Sequence, residues 1–174
     1  MRITCVAMTL LPVNVSAKMI KLLIAAGLVA GPVSTVQEAE QKYGKLDGYI
    51  MPVEQFSRVI TKFNPEVYNV KFRYNMWVNK DMVLPLALVF LDLQLQGLLW
   101  EITKFNGCYN GRSVRGRPEI SAHAYGLACD FDDKQYSERF VNVWEKWGFC
   151  WGGKFKRKPS RAHFAYSWEC KNKE

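Results

Sequence analysis

The 174 residues are 49% apolar and 14% aromatic, with 24 Lys and Arg against 16 Asp and Glu and a formal net charge of +8 at pH 7. That composition excludes a mainly disordered chain or a coiled coil, and the length is enough to bury a core without staples. The positive balance favours an anionic partner, which could be nucleic acid, an acidic membrane surface or an acidic bacterial wall polymer.

At the start, MRITCVAMTLLPVNV carries one Arg ahead of apolar residues, but Pro12 and Asn14 interrupt it and no small-residue cleavage site follows. No signal peptide is expected there. Residues 16–30 read as a short buried helix, because Lys21, Gly27, Gly31 and Pro32 leave too short a clean run to span a bilayer. No integral membrane segment is expected. After Gly31-Pro32, Ser34 is the expected N-cap of a second helix running through VQEAEQKY to Gly44. VEQFSRVITKF has apolar residues at helical spacing and ends at Asn64-Pro65, a natural terminator. A boundary is expected near residue 70, dividing an N-terminal helical region over 1–69 from a second unit over 70–174. Alternation predicts a strand over VKFRYNMWVN from Val70, and apolar periodicity predicts a core helix from Leu84 to Phe105.

Five cysteines, Cys5, Cys108, Cys129, Cys150 and Cys170, form no CxxC pair and make an odd count. No complete disulfide framework is readable, and buried thiols in a reducing compartment are expected.

The chain has two histidines, His123 in SAHAYGLACDFD and His163 in RAHFAYSW. A catalytic zinc site takes three protein ligands from His and carboxylate and leaves a fourth position open. His123, Asp130 and His163 would supply that set. Ala124, Gly126 and Ala128 are small enough to let the backbone turn closely, with Gly126 as the expected hinge. Alone, HxxGxxxD equally describes a surface histidine and a turn carboxylate; the second histidine motif tips the balance.

SAHAYGLACDFD resembles the SxHxxGxAxD signature of the LAS-type zinc metallopeptidases, which include D-Ala-D-Ala carboxypeptidases and the L-alanyl-D-glutamate endopeptidases of phage endolysins; Ser121, His123, Gly126, Ala128 and Asp130 fit it. FVNVWEKWGFCWGGKFKRKPSRAHF resembles the family's closing segment, where a helix leads to GF-x-WGG and then to the second ligand histidine and an aromatic residue. GCYNGRSVRGRPEIS resembles the strand and loop that carry its substrate arginine. The resemblance runs over roughly residues 70–174. It implies an α+β fold, in which a small antiparallel sheet carries the zinc ligands and helices pack on its other face; the N-terminal helices read from residues 1–69 precede it. It also implies Zn2+ as cofactor, bacterial peptidoglycan as partner and a monomer. An endolysin-like protein would stay in the host cytoplasm until lysis and then act on the wall, needing no signal peptide if a holin lets it through.

Zinc in such a site makes the nucleophile from water and polarises the scissile carbonyl. In the resembling family the base is an acidic residue three positions before the second ligand histidine, and here that position is Ser160. A serine hydroxyl has no basicity near neutral pH. Three accounts remain: another carboxylate such as Asp132, Asp133 or Glu169 substitutes, the chain carries a substitution that removed the base, or it is a zinc-bound wall-binding protein with impaired or lost turnover.

Arg112 and Arg115 are candidates for gripping a substrate carboxylate, since guanidinium offers two parallel hydrogen bonds. By resemblance Arg112 ranks first. Ser121 could face substrate or brace His123. Trp144, Trp147, Phe149 and Trp151 read as core or as a sugar-stacking platform, and Lys154, Lys156, Arg157, Lys158 and Arg161 as a solvated loop or as an attractor for an anionic polymer. No zinc-finger, RNP-type or helix-turn-helix signature accompanies the charge, so nucleic acid is not an expected partner.

Overall fold

Thr35 rather than Ser34 caps the first described helix, α1 (Val36–Tyr43): its hydroxyl accepts from Glu38 N, while both N and Oγ of Ser34 bond the Glu38 carboxylate. The computed structural model describes residues 31–114 and 118–173, so the helix expected over 16–30 lies outside it, as does Cys5. α2 (Val53–Val59) stops four residues earlier than its spacing predicts, and Ile60–Phe63 becomes strand β1, paired antiparallel with β2 (Met76–Asn79). The β-branched pair Ile60-Thr61 sits more easily on a pleated surface with a partner than in another helical turn.

The strand expected from Val70 is confined to β2. Upstream, Lys71 N donates to Gln94 Oε1 and Phe72 N to Val70 O, so these peptide groups are taken by a side chain and a tight turn instead of a ladder. The long apolar helix is likewise shorter than expected: α3 covers Val83–Leu95. Gly97, at φ 66, ends it, with Gly97 N bonded to Gln94 O and Leu98 N to Leu93 O. This is a Schellman stop, which needs a left-handed residue that glycine supplies without strain. Apolar periodicity carries on past it because Leu98 and Ile102 are still core residues.

α4 (Glu138–Lys146) starts at Ser137, whose hydroxyl accepts from Phe140 N and is itself held by buried Glu101. The second sheet has order β3-β5-β4, from β3 (Ala128–Asp130), β4 (Cys150–Trp151) and β5 (His163–Ala165), all antiparallel. Four α-helices and two small antiparallel sheets among the described residues make the α+β class.

Two apolar clusters hold these elements. The larger joins α3 and α4 to β2 and the second sheet around Phe90, Phe131, Trp144 and Phe164. Trp144, Trp147, Phe149 and Trp151 are all buried in it, so they are core and not a sugar platform. The smaller packs Val33, Ala39, Tyr43, Met51, Val59 and Ile60 against Ala122, Tyr125, Leu127 and Ala165. Residues 33–60 therefore back the turn that carries His123, and Tyr125 OH donates to Gly44 O to fasten the two.

The cysteine expectation is corrected. Cys108 pairs with Cys129 and Cys150 with Cys170, giving two disulfides where free thiols were expected. The odd count concealed two complete pairs, whose members are 21 and 20 residues apart and meet only when the second sheet assembles.

Candidate metal centre

His123 lies in a 3-10 turn over Ala122–Tyr125, immediately before β3. Ser121, which is buried, caps this turn by accepting from His123 N at 3.4 Å, and so braces the histidine. Gly126 closes the turn at φ 66, and a Cβ there would come within 2.8 Å of Asn79 N. Only glycine meets both demands. Asn79 is itself a buried clasp: its backbone N donates to Gly126 O and its side-chain amide to Tyr125 O.

The other two residues come from the sheet. Asp130 ends β3 and stands directly opposite His163 at the start of β5. The three side chains converge, with His123 Nε2 3.1 Å and His163 Nδ1 2.9 Å from Asp130 Oδ1, and the two ring nitrogens 3.2 Å apart. Ligands about 2.0–2.2 Å from a tetrahedral ion stand roughly 3.3 Å from one another. A spread of a few tenths of an ångström would admit the ion.

The far nitrogens show which ring atoms can ligate. His123 Nδ1 lies 2.6 Å from the Cys108 carbonyl, which can only accept, so Nδ1 carries the hydrogen and Nε2 offers its lone pair inward. His163 Nε2 lies 2.6 Å from Glu169 Oε2 and is fixed as a donor in the same way, directing Nδ1 inward. Two neutral imidazoles and a carboxylate are the donor set of a catalytic zinc site. Asp130 is partly open to solvent while both histidines are buried, so approach is from the carboxylate's side.

Without metal, this cluster is charged. Burial opposes protonation of His163, but the Glu169 and Asp130 carboxylates outweigh it and raise its pKa to about 9. Burial likewise disfavours the Asp130 carboxylate, yet its close contacts with the His123 and His163 rings hold it well below the usual range. Metal requires the His163 Nδ1 lone pair, so uptake at pH 7 is expected to expel the proton carried there. Apparent metal affinity should rise about tenfold per pH unit up to about 9 and then level, because above that pH no proton remains to displace. Zinc titration calorimetry at pH 7, in buffers of different ionisation enthalpy, measures the release; a buffer-independent heat contradicts it.

Arg112 sits at the rim, half-buried, with Nη2 3.5 Å from Asp130 Oδ2 and Nη1 3.2 Å from Ser113 O. Arg115 lies outside the described residues. Ser160 is exposed, and its carbonyl accepts from His163 N at 3.2 Å, closing a turn. The residue three positions before the histidine thus stands on the same turn as the histidine.

The alternative carboxylates are mostly occupied. Asp132 accepts from Thr103 N, Thr103 Oγ1 and Lys104 N at 2.5–3.0 Å. Glu169 is buried behind His163, accepting from its Nε2 and from Ala122 N. Both carboxylates are thus engaged. Asp133 is exposed. In the basic loop, Lys154 is tied to Glu145 at 3.0 Å, and Lys156, Arg157, Lys158 and Arg161 are exposed.

Sequence reasoning missed the Cys108 carbonyl, the Asn79 clasp and the place of Glu169 behind His163. A main-chain acceptor has no signature in residue identity, and Glu169, six residues beyond His163, stood out only as a carboxylate.

Comparison with known proteins accords with this geometry. Residues 115–166, less than a third of the chain, match a family model described as D-alanyl-D-alanine carboxypeptidase. The matched segment contains His123, Asp130, Ser160 and His163, so the resemblance read from the two histidine motifs holds there. No curated protein and no solved structure matches the chain.

Proposed function

We propose that the chain, matching a carboxypeptidase family across its His-Asp-His cluster, is a zinc-dependent peptidoglycan peptidase that hydrolyses wall stem peptides of the D-Ala-D-Ala or L-alanyl-D-glutamate type, acting as a phage lysis enzyme. The observation that carries this reading is the convergence of three ligating atoms within 3.2 Å inside the matched segment. Bound zinc would supply Lewis-acid polarisation of a carbonyl and an acidified water. His123, Asp130 and His163 would hold it, while the Cys108 carbonyl fixes the tautomer of His123.

Arg112, at the open rim, is the residue proposed to grip a substrate carboxylate, with Arg115 as the second candidate. Ser121 keeps the His123 turn in place. All these residues fall in the segment 70–174, proposed as the peptidase-like unit, and residues 1–69 as the N-terminal region that precedes it. Among the described residues no helix is long and apolar enough to cross a membrane. The proposed setting is the host cytoplasm until lysis and the wall afterwards, as a monomer without nucleic acid.

Ser160 favours a second reading, a zinc-bound wall-binding protein with impaired catalysis, since Asp132 and Glu169 are committed elsewhere. Incubating purified wall with the zinc-loaded chain, with and without chelator, and identifying released fragments by mass spectrometry separates the two. Chelator-sensitive release of stem-peptide fragments supports the peptidase; wall binding without any fragment supports the second reading.

Arg112→Ala is expected to lower kcat/KM on carboxylate-bearing stem peptides roughly 10- to 100-fold, the usual worth of a lost charge-assisted hydrogen bond, and to change metal content far less. Arg112→Lys should restore part of the loss, because a point charge does not reproduce the guanidinium fork. Parent rates in both variants would show that the arginine does not touch substrate.

A further inference from the structure

Both disulfides end beside groups that hold the ligand histidines. Cys108 itself provides the carbonyl that accepts from His123 Nδ1, and its partner Cys129 precedes Asp130 on β3. Cys150, on β4, stands opposite Ala165 of β5, which lies two residues beyond His163. Its partner Cys170 follows Glu169 on a terminal 3-10 helix over Trp168–Lys173.

Glu169 is the shared element of this arrangement. It is 7% exposed, and its two oxygens are divided between the ligand segments. Oε2 accepts from His163 Nε2 at 2.6 Å, while Oε1 accepts from Ala122 N at 2.9 Å, next to His123. One carboxylate thus sets the ring of His163 and ties it to the turn that bears His123. A short 3-10 helix has poor hydrogen-bond geometry and little stability of its own. Besides its packing, the bonds of Glu169 N and Cys170 N to Ser167 and the contacts of the Glu169 carboxylate with Ser121, Ala122 and His163, its covalent tie to the sheet is the bond from Cys170 to β4.

We infer that Glu169 is a positioning residue of the metal centre, held in register by the Cys150–Cys170 disulfide, so that the chain binds metal more tightly oxidised than reduced. Reduction by a dithiol transfers two electrons and two protons to the sulfur–sulfur bond, leaving two cysteine thiols while the dithiol closes to its own disulfide. The terminal helix then loses its covalent tie, and Glu169 its fixed place behind His163. A carboxylate that orients a ligand histidine is worth about 10- to 100-fold in metal affinity. A chain kept reduced would hold zinc weakly, and one that reaches an oxidising compartment would hold it firmly.

The inference rests on the metal-centre reading, and the experiment separates their failures. Zinc affinity is measured by chelator competition on the oxidised parent, on Glu169→Ala, on Glu169→Gln, on Cys150→Ala/Cys170→Ala, and on the triple combination with Glu169→Ala. Expected is a loss of about 10- to 100-fold in Glu169→Ala, a smaller loss in Glu169→Gln, whose amide oxygen still accepts from His163 Nε2, and a loss in the cysteine pair. The triple variant should lose little beyond Glu169→Ala, because residues acting through one contact are not additive. Cobalt(II) absorption should shift in Glu169→Ala as the His163 ring reorients, a signature that general destabilisation does not produce.

An oxidised parent that takes up no zinc sinks the metal reading and this inference with it. A parent that binds zinc, with Glu169→Ala equally tight and spectrally unchanged, overturns the inference alone. Full multiplication of the glutamate and cysteine effects overturns the coupling. If the cysteine pair does not fold, titration of the parent before and after dithiol reduction decides the coupling, and equal affinities overturn it.

Discussion

Ser160→Asp is expected to raise hydrolysis of peptidoglycan peptides by about two to four orders of magnitude, the usual contribution of a positioned general base, with zinc content unchanged. The turn closed by His163 N on the Ser160 carbonyl keeps this residue beside the ligand, where a carboxylate could take the proton of the attacking water. The serine is exposed, so an aspartate there meets no burial penalty, and a surface change of this kind costs within about 0.5 kcal/mol of stability. Of the carboxylates weighed in its place, Asp132 is spent on Thr103 and Lys104 and Glu169 on His163 Nε2 and Ala122 N, which leaves the exposed Asp133. The new acid should also bring a pH profile in which the rate rises as it ionises and levels once it is the base. Parent and variant are compared in one release assay on purified wall, with metal determined on the same samples. A folded, zinc-loaded Ser160→Asp no faster than the parent would remove the missing-base account.

His123→Ala is expected to leave the chain without stoichiometric zinc and without activity. The chain has only two histidines, so no third imidazole can take its place. The deletion also leaves the Cys108 carbonyl without its ring partner and His163 Nδ1 facing Asp130 alone. Because His123 is buried on a braced turn, circular dichroism should accompany the metal analysis to show that the fold persists. Tight zinc retained at one equivalent in a folded His123→Ala would mean that the metal sits elsewhere.

Local chemistry made some features legible in advance. Two histidines, one of them seven residues before an aspartate across a run of small side chains, pointed to three ligands, and the glycine in that run had to turn the backbone. The Gly126 hinge answers a constraint that any sequence reader can apply, since the conformation it adopts is costly for other residues. Failures of the reading have the same kind of cause. VEQFSRVITKF kept helical spacing through Phe63, yet Ile60–Phe63 pairs with β2, because a strand edge 13 to 19 residues away in sequence was available to it. The helix expected to reach Phe105 stopped at Leu95 because glycine allowed a left-handed turn there, while the apolar pattern continued into residues that pack without being helical.

The sequence by itself determined the candidate donor residues, their order and the absence of an acid at position 160, because these are properties of residue identity and spacing. Only the tertiary structure decided how those donors are held. The Cys108 carbonyl, the Glu169 carboxylate and the two disulfides reach the centre across 15, 6, 21 and 20 residues of chain, through sheet pairing that residue identity does not encode. It also decided that Asp132 and Glu169 are occupied, since a carboxylate's availability depends on which donors the fold brings to it, and that is settled when β3, β5 and the terminal helix pack together.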